Sequence, residues 1–416
     1  MSWAALASNQ IVSNTNLNDA CSTGVFVAKT TIPTTNRELT ATAAVGYAYV
    51  TVSGGVANNQ LVQKSDLTSY VVGPGPYNYY VYATDPNHAY RSTDGGWTFT
   101  TCGLPSSNTY SSIAGTNQYV VVGSPDTNGV VYVSNDSGVS FTAVTISNLT
   151  GYSFSSFYPY DIDMSATGQY VAVVGKEAGG TSFGRITIAI SSDYGVSFTA
   201  YQTAYYSGTG NKCAVAVSSD GSRISYVATN LGTGSVNSWR YYSNNYGVTF
   251  SSGGLSTNQY LSDISMNLTG GNQLIVNYGD GTTFGGGSFF VSYDYGATFY
   301  DNAPIPMGTN NNGGIQCGMT TDGVVMTILS TAYSGLIWYS TNYGSYGSWS
   351  YYTGNVLSSS VKGIAIGVLN SSSSNYLAYI PANYCDYKPI GTTTFYPLPN
   401  LTTFSMNKIY RKARNY

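Results

Sequence analysis

Short runs in which apolar residues alternate with polar or small ones recur along most of the chain and predict β-strands. The runs at 161–164, 214–217, 263–266 and 316–319 are each followed by a tight turn that contains Gly, and then by a second apolar run. A looser loop, a third run, another turn and a fourth run complete each unit. Four successive strands joined in this way predict a four-stranded antiparallel sheet for each unit.

One turn sequence lies between the third and fourth runs and recurs six times, the last time in degenerate form. Two clear copies read Ser-Ser-Asp-Tyr-Gly-Val-Ser-Phe at 191–198 and Ser-Tyr-Asp-Tyr-Gly-Ala-Thr-Phe at 292–299. The copies follow one another at intervals of roughly 50 residues, which is typical of propeller blades and solenoids. The third position of each copy is Asp or Asn: Asp94, Asp136, Asp193, Asn245, Asp294 and Asn342.

The residue types of this turn have a physical reason. Ser and Asp side chains accept hydrogen bonds from nearby backbone amides and hold a turn closed. Gly at the fifth position permits positive φ, and the aromatic residue at the eighth position can return to the core. In four copies Tyr follows the third position, where it either braces the turn or forms an exposed rim that favours self-association: Tyr194, Tyr246, Tyr295 and Tyr343.

The repeated turn resembles the Asp-box, or BNR repeat, of sialidases, sortilin-type receptors and xyloglucan hydrolases. The resemblance covers about 90–350 and implies an all-β fold built as a β-propeller. It implies little about activity, because the Asp-box is a structural device in each of those families. A sialidase would also need three arginines on its substrate carboxylate, and the arginines before residue 400 do not fall on the predicted long loops.

Counting units predicts a seven-bladed β-propeller of four-stranded antiparallel blades over 70–416. The last unit lacks its repeated turn, and the first lacks its first strand. The segment 401–407 resembles the first strand at 261–267, so we expect it to complete blade one and close the ring, which removes a sheet edge. Residues 1–69 lie outside the repeat and are expected to form a small β-rich module or an attachment arm.

Composition narrows the possible surroundings of the protein. Only 8% of the 416 residues are charged, the net charge is −3, and 41 residues are Tyr. This balance argues against a nucleic-acid partner, and the absence of a long apolar run argues against a membrane partner. A polar, weakly charged chain without a signal peptide suits a virion surface or an extracellular location. Five cysteines without a CxxC spacing do not imply a disulfide framework.

Aromatic residues on the longer loops are the first candidates for binding. Loops between the second and third strands and loops between blades are expected to share one end of the propeller. Aromatic rings there suit stacking on sugars, although they can equally pack over the blade tops. The predicted glycan contacts are Tyr152, Phe154, Tyr158, Tyr205, Tyr206 and Phe284.

Four acidic residues fall on the same predicted loops: Asp85, Asp126, Glu177 and Asp280. If they converge, they can bind a cation or form an acid/base pair; the plainer expectation is that they are solvated loop acids. No metal site and no cofactor is predicted.

These observations predict a non-enzymatic structural or adhesion protein of a virion or extracellular surface, present in many copies. It would attach to other subunits through 1–69 and recognise a surface glycan or a neighbouring subunit through the propeller. The alternative is a secreted glycoside hydrolase that uses the loop carboxylates.

Overall fold

The structure is a computed structural model. It describes three strands before residue 73, most of residues 80–351, and five strands after residue 351. Within 80–351 the gaps are 85–86, 94–98, 106–107, 109, 125–128, 147–155, 180–182, 207–211, 233–234, 258–259, 279–288, 302–315, 321 and 331–335. The described parts outside 80–351 are 37–39, 48–52, 67–72, 365–368, 376–381, 385–389, 396–397 and 408–410. These described residues are all strand, turn or loop and include no helix.

The chain divides into two compact units, Met1–Asn78 and Tyr79–Tyr416. The first unit contains a three-stranded antiparallel sheet in the order β1-β2-β3. Its strands are β1 (Arg37–Leu39), β2 (Ala48–Val52) and β3 (Leu67–Val72). Strand β3 therefore crosses the predicted domain boundary between residues 69 and 70.

The second unit begins with short strands and then lengthens. Its first strands are β4 (Val81–Thr84), β5 (Ala89–Ser92), β6 (Thr100–Thr101), β7 (Ser112–Gly115), β8 (Val120–Gly123), β9 (Val130–Ser134) and β10 (Thr142–Thr145). The longest strands follow: β11 (Ser156–Met164), β12 (Val171–Gly179), β13 (Phe183–Ser191), β14 (Thr199–Tyr206), β15 (Lys212–Val217), β16 (Ile224–Gly232), β17 (Ser235–Ser243) and β18 (Ser251–Thr257).

Shorter strands complete the unit. They are β19 (Tyr260–Met266), β20 (Gln273–Tyr278), β21 (Phe289–Ser292), β22 (Tyr300–Asp301), β23 (Gln316–Met319), β24 (Met326–Ser330), β25 (Leu336–Ser340) and β26 (Trp349–Tyr351). The last are β27 (Ala365–Val368), β28 (Tyr376–Pro381), β29 (Cys385–Pro389), β30 (Tyr396–Pro397) and β31 (Lys408–Tyr410).

Consecutive groups of four strands pair as antiparallel sheets, which confirms the predicted all-β class. We call them sheet II (β7–β10), sheet III (β11–β14), sheet IV (β15–β18), sheet V (β19–β22) and sheet VI (β23–β26). Sheet I has the order β31-β4-β5-β6, and β27–β30 pair in the same consecutive pattern. The first strand of each sheet from II to VI lies beside the first strand of the next.

The C-terminal strand completes sheet I, at a later position than expected. Strand β31 pairs antiparallel with β4, and Lys408 lies opposite Thr84. The predicted closing segment, 401–407, lies outside the described residues. The strand that occupies the first position of sheet I therefore begins just after it.

Apolar side chains fill the spaces between adjacent sheets. Between sheets III and IV, Ile186, Ile188 and Ile190 pack with Val215 and Ile224. Between sheets V and VI, a similar cluster contains Phe289, Val291, Cys317 and Met326. Because each sheet supplies one layer of two such cores, the sheets stabilise one another through burial of apolar surface. Three cysteines in these cores are reduced and buried: Cys102, Cys213 and Cys317.

The repeated turns have the hydrogen bonds expected from their sequence. In sheet III, the Ser191 hydroxyl accepts from the Gly195 amide at 2.8 Å and donates to Asp193 at 2.7 Å. Asp193 also accepts from the Ser197 amide at 2.9 Å and from its hydroxyl at 2.6 Å. The turns that contain Asp136, Asn245 and Asp294 repeat this network, whereas Asp94 lies outside the described residues.

The fourth position of these turns is held at positive φ even though it is not Gly. The φ values are 65° at Tyr194, 62° at Tyr246, 62° at Tyr295 and 53° at Tyr343. Three of these rings pack on the preceding sheet: Tyr194 stacks on Tyr119, with ring centres 4.4 Å apart. Tyr246 contacts Tyr170 at 4.8 Å, and the Arg223 guanidinium lies 4.7 Å from the Tyr295 ring.

Tyr194, Tyr246 and Tyr295 therefore brace adjacent sheets, at an energetic cost. A non-Gly residue at positive φ is strained by about 1 kcal/mol or more. The stacking contacts and the turn network offset that cost.

We predict that Asp136→Asn makes the stability of the folded protein less dependent on pH under acidic conditions. Hydrogen bonds from the Ser140 hydroxyl and amide lower the pKa of Asp136 to about 2, below its value of about 4 in an unfolded chain. A lowered pKa gives stability that is present above about pH 4 and is lost as the pH falls toward 2.

The measurement is the melting temperature of the parent and Asp136→Asn between pH 2.5 and pH 7. The parent should melt at a higher temperature than the variant near pH 7, and this difference in melting temperature should shrink as the pH falls. An advantage that is constant across this range would contradict the assignment.

Candidate functional site

The two ends of the sheets differ in the kinds of connection that they carry. The turns after the first and third strands lie together at one end, which we call the turn face; the Tyr194 amide, for example, donates to the Gln169 carbonyl at 3.1 Å. The opposite end, the loop face, carries the connections between second and third strands and between sheets. The turn face is occupied by the contacts that brace the sheets, so the loop face is the better candidate for chemistry.

The predicted loop-face residues that the structure describes all belong to sheet III. Tyr158 is half-buried in β11, Glu177 lies in β12, and Tyr205 and Tyr206 lie in β14. These residues are in strands rather than loops, because β11–β14 continue toward the loop face beyond the length of strands such as β7–β10. The other predicted residues lie outside the described residues: Asp85, Asp126, Asp280, Tyr152, Phe154 and Phe284.

The strand register brings chemically different groups into one row across sheet III. Glu177 lies opposite Phe157 on one side and opposite Arg185 on the other. Arg185 in turn lies opposite Tyr205 in β14. Glu177, Arg185 and Tyr205 thus occupy one row of register positions near the loop face.

Glu177 is not the solvated loop acid that the plainer expectation described. Its side chain is only 5% exposed, and the neighbouring Phe157 is 1% exposed. A buried carboxylate needs a cation or hydrogen-bond donors, because desolvation penalises its charge. Arg185 is the residue opposite Glu177 in β13.

A second group of carboxylates, which the sequence analysis treated only as strand residues, lies on first strands. Asp161 accepts from the Val215 amide at 2.9 Å, and Asp163 accepts from the Val217 amide at 2.6 Å. Asp263 accepts from the Cys317 amide at 2.9 Å. Each carboxylate thus binds the backbone of the next sheet's first strand. The available signal was the repeated Asp-Ile-x-Met at 161–164 and 263–266.

Asp263 is the most perturbed of these acids. Its carboxyl group is enclosed beside Cys317, and this burial raises the pKa of Asp263 to about 7, against the lowering effect of the Cys317 amide. The group therefore titrates near neutrality, a property that acid–base catalysts need. Its hydrogen bond to the next sheet also gives it a structural role.

The described residues contain neither a metal-binding cluster nor a membrane-spanning helix. No group of three or more His, Cys, Asp or Glu side chains in these parts is placed to hold a metal ion. No helix in the same parts is long and apolar enough to cross a membrane.

Comparison with known proteins shows the fold. No protein-family model and no curated protein sequence matches the chain. Among solved structures, the GH74 xyloglucanase from Xanthomonas campestris matches with a TM-score of 0.51 and 12% identity over 74% of this chain and 50% of its own. A provisional 6-phosphogluconolactonase from Bacteroides fragilis matches with a TM-score of 0.52 and 9% identity, over 80% and 98% of the two chains.

The chain has a β-propeller fold. Its four-stranded antiparallel sheets and its structural neighbours agree on this point. The chain spans about half the length of the xyloglucanase that it matches. At these identities the likeness concerns the fold alone.

The comparisons contradict the expectation that the protein is not an enzyme. Structures that share its fold include a xyloglucanase, which is named as an enzyme. The expectation relied on the lack of a recognisable catalytic cluster in the sequence, and a β-propeller can assemble such a cluster from distant loops. We therefore withdraw it.

We predict that Asp263→Asn changes the pH dependence of stability in the opposite direction to Asp136→Asn. A pKa raised in the folded state gives stability that is complete below the unfolded pKa of about 4 and is lost as the pH rises through about 7. Asn keeps an oxygen for the Cys317 amide and carries no charge.

Melting temperatures between pH 4.5 and pH 8.5 test this. The melting temperature of the variant should rise relative to that of the parent as the pH rises. A difference that does not change over this range would show that Asp263 is not buried in its charged form.

Proposed function

We propose that this protein acts on glycans as a glycoside hydrolase, with Glu177 as one of its functional carboxylates. The observation that carries the proposal is the position of Glu177, withdrawn from water near the loop face and opposite Arg185 in the strand register. Glycoside hydrolases use two carboxylic residues, one of which is commonly held in a partly desolvated environment.

The partner of Glu177 would come from the loop face. Three candidates follow from the sequence alone: Asp85, Asp126 and Asp280. The separation of the two carboxyl groups would decide the stereochemical outcome, since retaining enzymes hold them about 5 Å apart and inverting enzymes farther apart. Aromatic stacking would position the sugar, through Tyr152, Phe154, Tyr158, Tyr205, Tyr206 and Phe284.

The structural neighbours favour this proposal over a purely architectural role. The GH74 xyloglucanase is named for action on a polysaccharide, and its fold resembles that of this chain. A surface with few charges and many Tyr, Ser, Thr and Asn side chains suits contact with neutral sugars, whose hydroxyl groups need hydrogen-bond partners.

We further propose that the sheets form a closed seven-bladed ring and that the repeated turns are Asp-boxes. The pairing of β31 with β4 and the neighbouring positions of β28 and β31 support closure. The shared Ser–Asp–Gly hydrogen-bond network supports the Asp-box assignment.

A second candidate role is assembly on a virion or extracellular surface, with residues 1–69 as the attachment segment. The observation that favours it is a series of exposed apolar side chains on the turn face. They are Val139 (56% exposed), Val196 (71%), Val248 (62%), Tyr295 (48%) and Tyr346 (73%). Repeated exposed apolar groups favour contact with other chains.

The hydrolase proposal is tested by the release of reducing ends from neutral polysaccharides, xyloglucan included. We expect the parent chain to hydrolyse at least one of them, and Glu177→Gln to lower the rate by roughly 10²-fold or more. Lys176→Gln is the matched control, because the neighbouring position faces the other side of β12. It should stay within a few-fold of the parent.

Two outcomes would contradict the proposal. Full activity in Glu177→Gln would remove Glu177 from the chemistry. Binding of a polysaccharide without hydrolysis would leave a glycan-recognition protein and not a hydrolase.

Closure of the ring is tested by truncation. Removal of 401–416 takes away β31 and should lower the melting temperature strongly, because β4 is left as an unpaired edge. Removal of 411–416 retains β31 and is the control, with a melting temperature near that of the parent. Equal stability of the two truncated chains would show that β31 does not close the fold.

A further inference from the structure

The junction between sheets IV and V differs from the other described junctions in one pair of positions. The position three residues before each repeated turn faces the next sheet, and the first residue of each second strand faces the preceding sheet. At three junctions both residues are buried and apolar, and each pair shares a core cluster: Val131 with Val171, Ile188 with Ile224, and Phe289 with Met326. Between sheets IV and V the pair is Arg240 and Gln273.

Both polar side chains are buried as deeply as the apolar residues that they replace. Each is 1% exposed. Nε and Nη1 of Arg240, and Oε1 of Gln273, have no hydrogen-bond partner within the protein. Leaving such atoms unpaired destabilises the folded state, and more so for a charged group.

The neighbouring residues contact the Arg240 guanidinium and leave space for it. The guanidinium carbon lies 4.6 Å from the centre of the Phe299 ring and 4.9 Å from that of Tyr242. A Cβ on Gly253 would lie 1.7 Å from Nη2 of Arg240, so only Gly leaves room there. Burial lowers the pKa of Arg240 to about 10, an effect that Tyr242 and Asp294 oppose, so the group carries its charge at neutral pH.

The unpaired atoms of the two side chains lie close enough to share one small molecule. An ideal Cβ on Gly296 would lie 2.6 Å from Oε1 of Gln273 and 2.9 Å from Nη1 of Arg240, so both atoms surround the same point. The Gln273 amide nitrogen already donates to the Gly270 carbonyl at 3.1 Å. Its orientation is therefore fixed, and an oxygen faces the arginine side of the junction.

We propose that Arg240 and Gln273 form a buried binding site for a single water molecule that links sheets IV and V. The donors of Arg240 require an acceptor and Oε1 of Gln273 requires a donor, and water supplies both. A halide or phosphate ion would satisfy the arginine but repel the amide oxygen. Buried waters of this type commonly make about three hydrogen bonds to polar groups without other partners.

The first test is a crystal structure of the full chain at a resolution that shows ordered water, together with a second crystal soaked in sodium bromide. We expect a water within hydrogen-bond distance of Arg240 and Gln273, and no anomalous bromide peak between them. A bromide peak would overturn the proposal in favour of an anion site. A direct hydrogen bond between the two side chains, with no third group, would also overturn it.

The second test is a double-mutant cycle in melting temperature, with the parent, Arg240→Ile, Gln273→Ile and the double variant. The double variant reproduces the Ile188 and Ile224 pair between sheets III and IV, which makes the neighbouring junction its template. Each single change leaves the other polar side chain and the water without a hydrogen-bond partner. We therefore expect the double variant to lose clearly less in melting temperature than the two single variants lose together. If a single variant does not fold, a folded double variant supports the proposal. Additive losses, or a double variant that alone fails to fold, would overturn it.

Discussion

The fold depends on hydrogen bonds to the backbone amides along the unpaired edge of each sheet's first strand. A first strand pairs with only one neighbour in its own sheet, so every second backbone amide points away from that sheet and needs a partner. At Val215, Val217 and Cys317 the partner is an aspartate from the first strand of the preceding sheet. A carboxylate accepts such bonds strongly, and each one links two sheets that share no backbone ladder.

This arrangement separates stability from chemistry. The turn face carries the repeated hydrogen-bond network and the aromatic stacks, which are nearly the same in successive sheets. At the loop face, sheet III extends and places Glu177, Arg185 and Tyr205 in one row of register positions. A scaffold held at one end leaves the other end free to vary, which is the condition for a functional surface.

Local sequence predicted the repeated features well, because they rest on local rules. The turns at Asp136 and Asp193 form the expected contacts with residues at most four positions away, and such contacts can be inferred from residue types alone. The four-stranded antiparallel sheets were predicted for the same reason. Positive φ at Tyr194 was not foreseen, since its compensation comes from Tyr119 on another sheet.

The residues of the candidate site were harder to predict because they depend on register and strand length. Glu177 was assigned to a loop, whereas β12 extends through it and buries its side chain. The exchange of an apolar pair for Arg240 and Gln273 is visible only once the positions that face each other across a junction are known. Whether a propeller is catalytic depends on such long-range juxtapositions, which is why the expectation of no activity was wrong.

The central claim is that aspartates of one first strand hold the backbone of the next. The most direct test is amide hydrogen exchange in the parent and in Asp161→Ala. The account predicts that the Val215 amide exchanges much faster in the variant, while the Val217 amide, which is bound by Asp163, keeps its protection. Unchanged exchange at Val215, or equal acceleration at both amides, would contradict it.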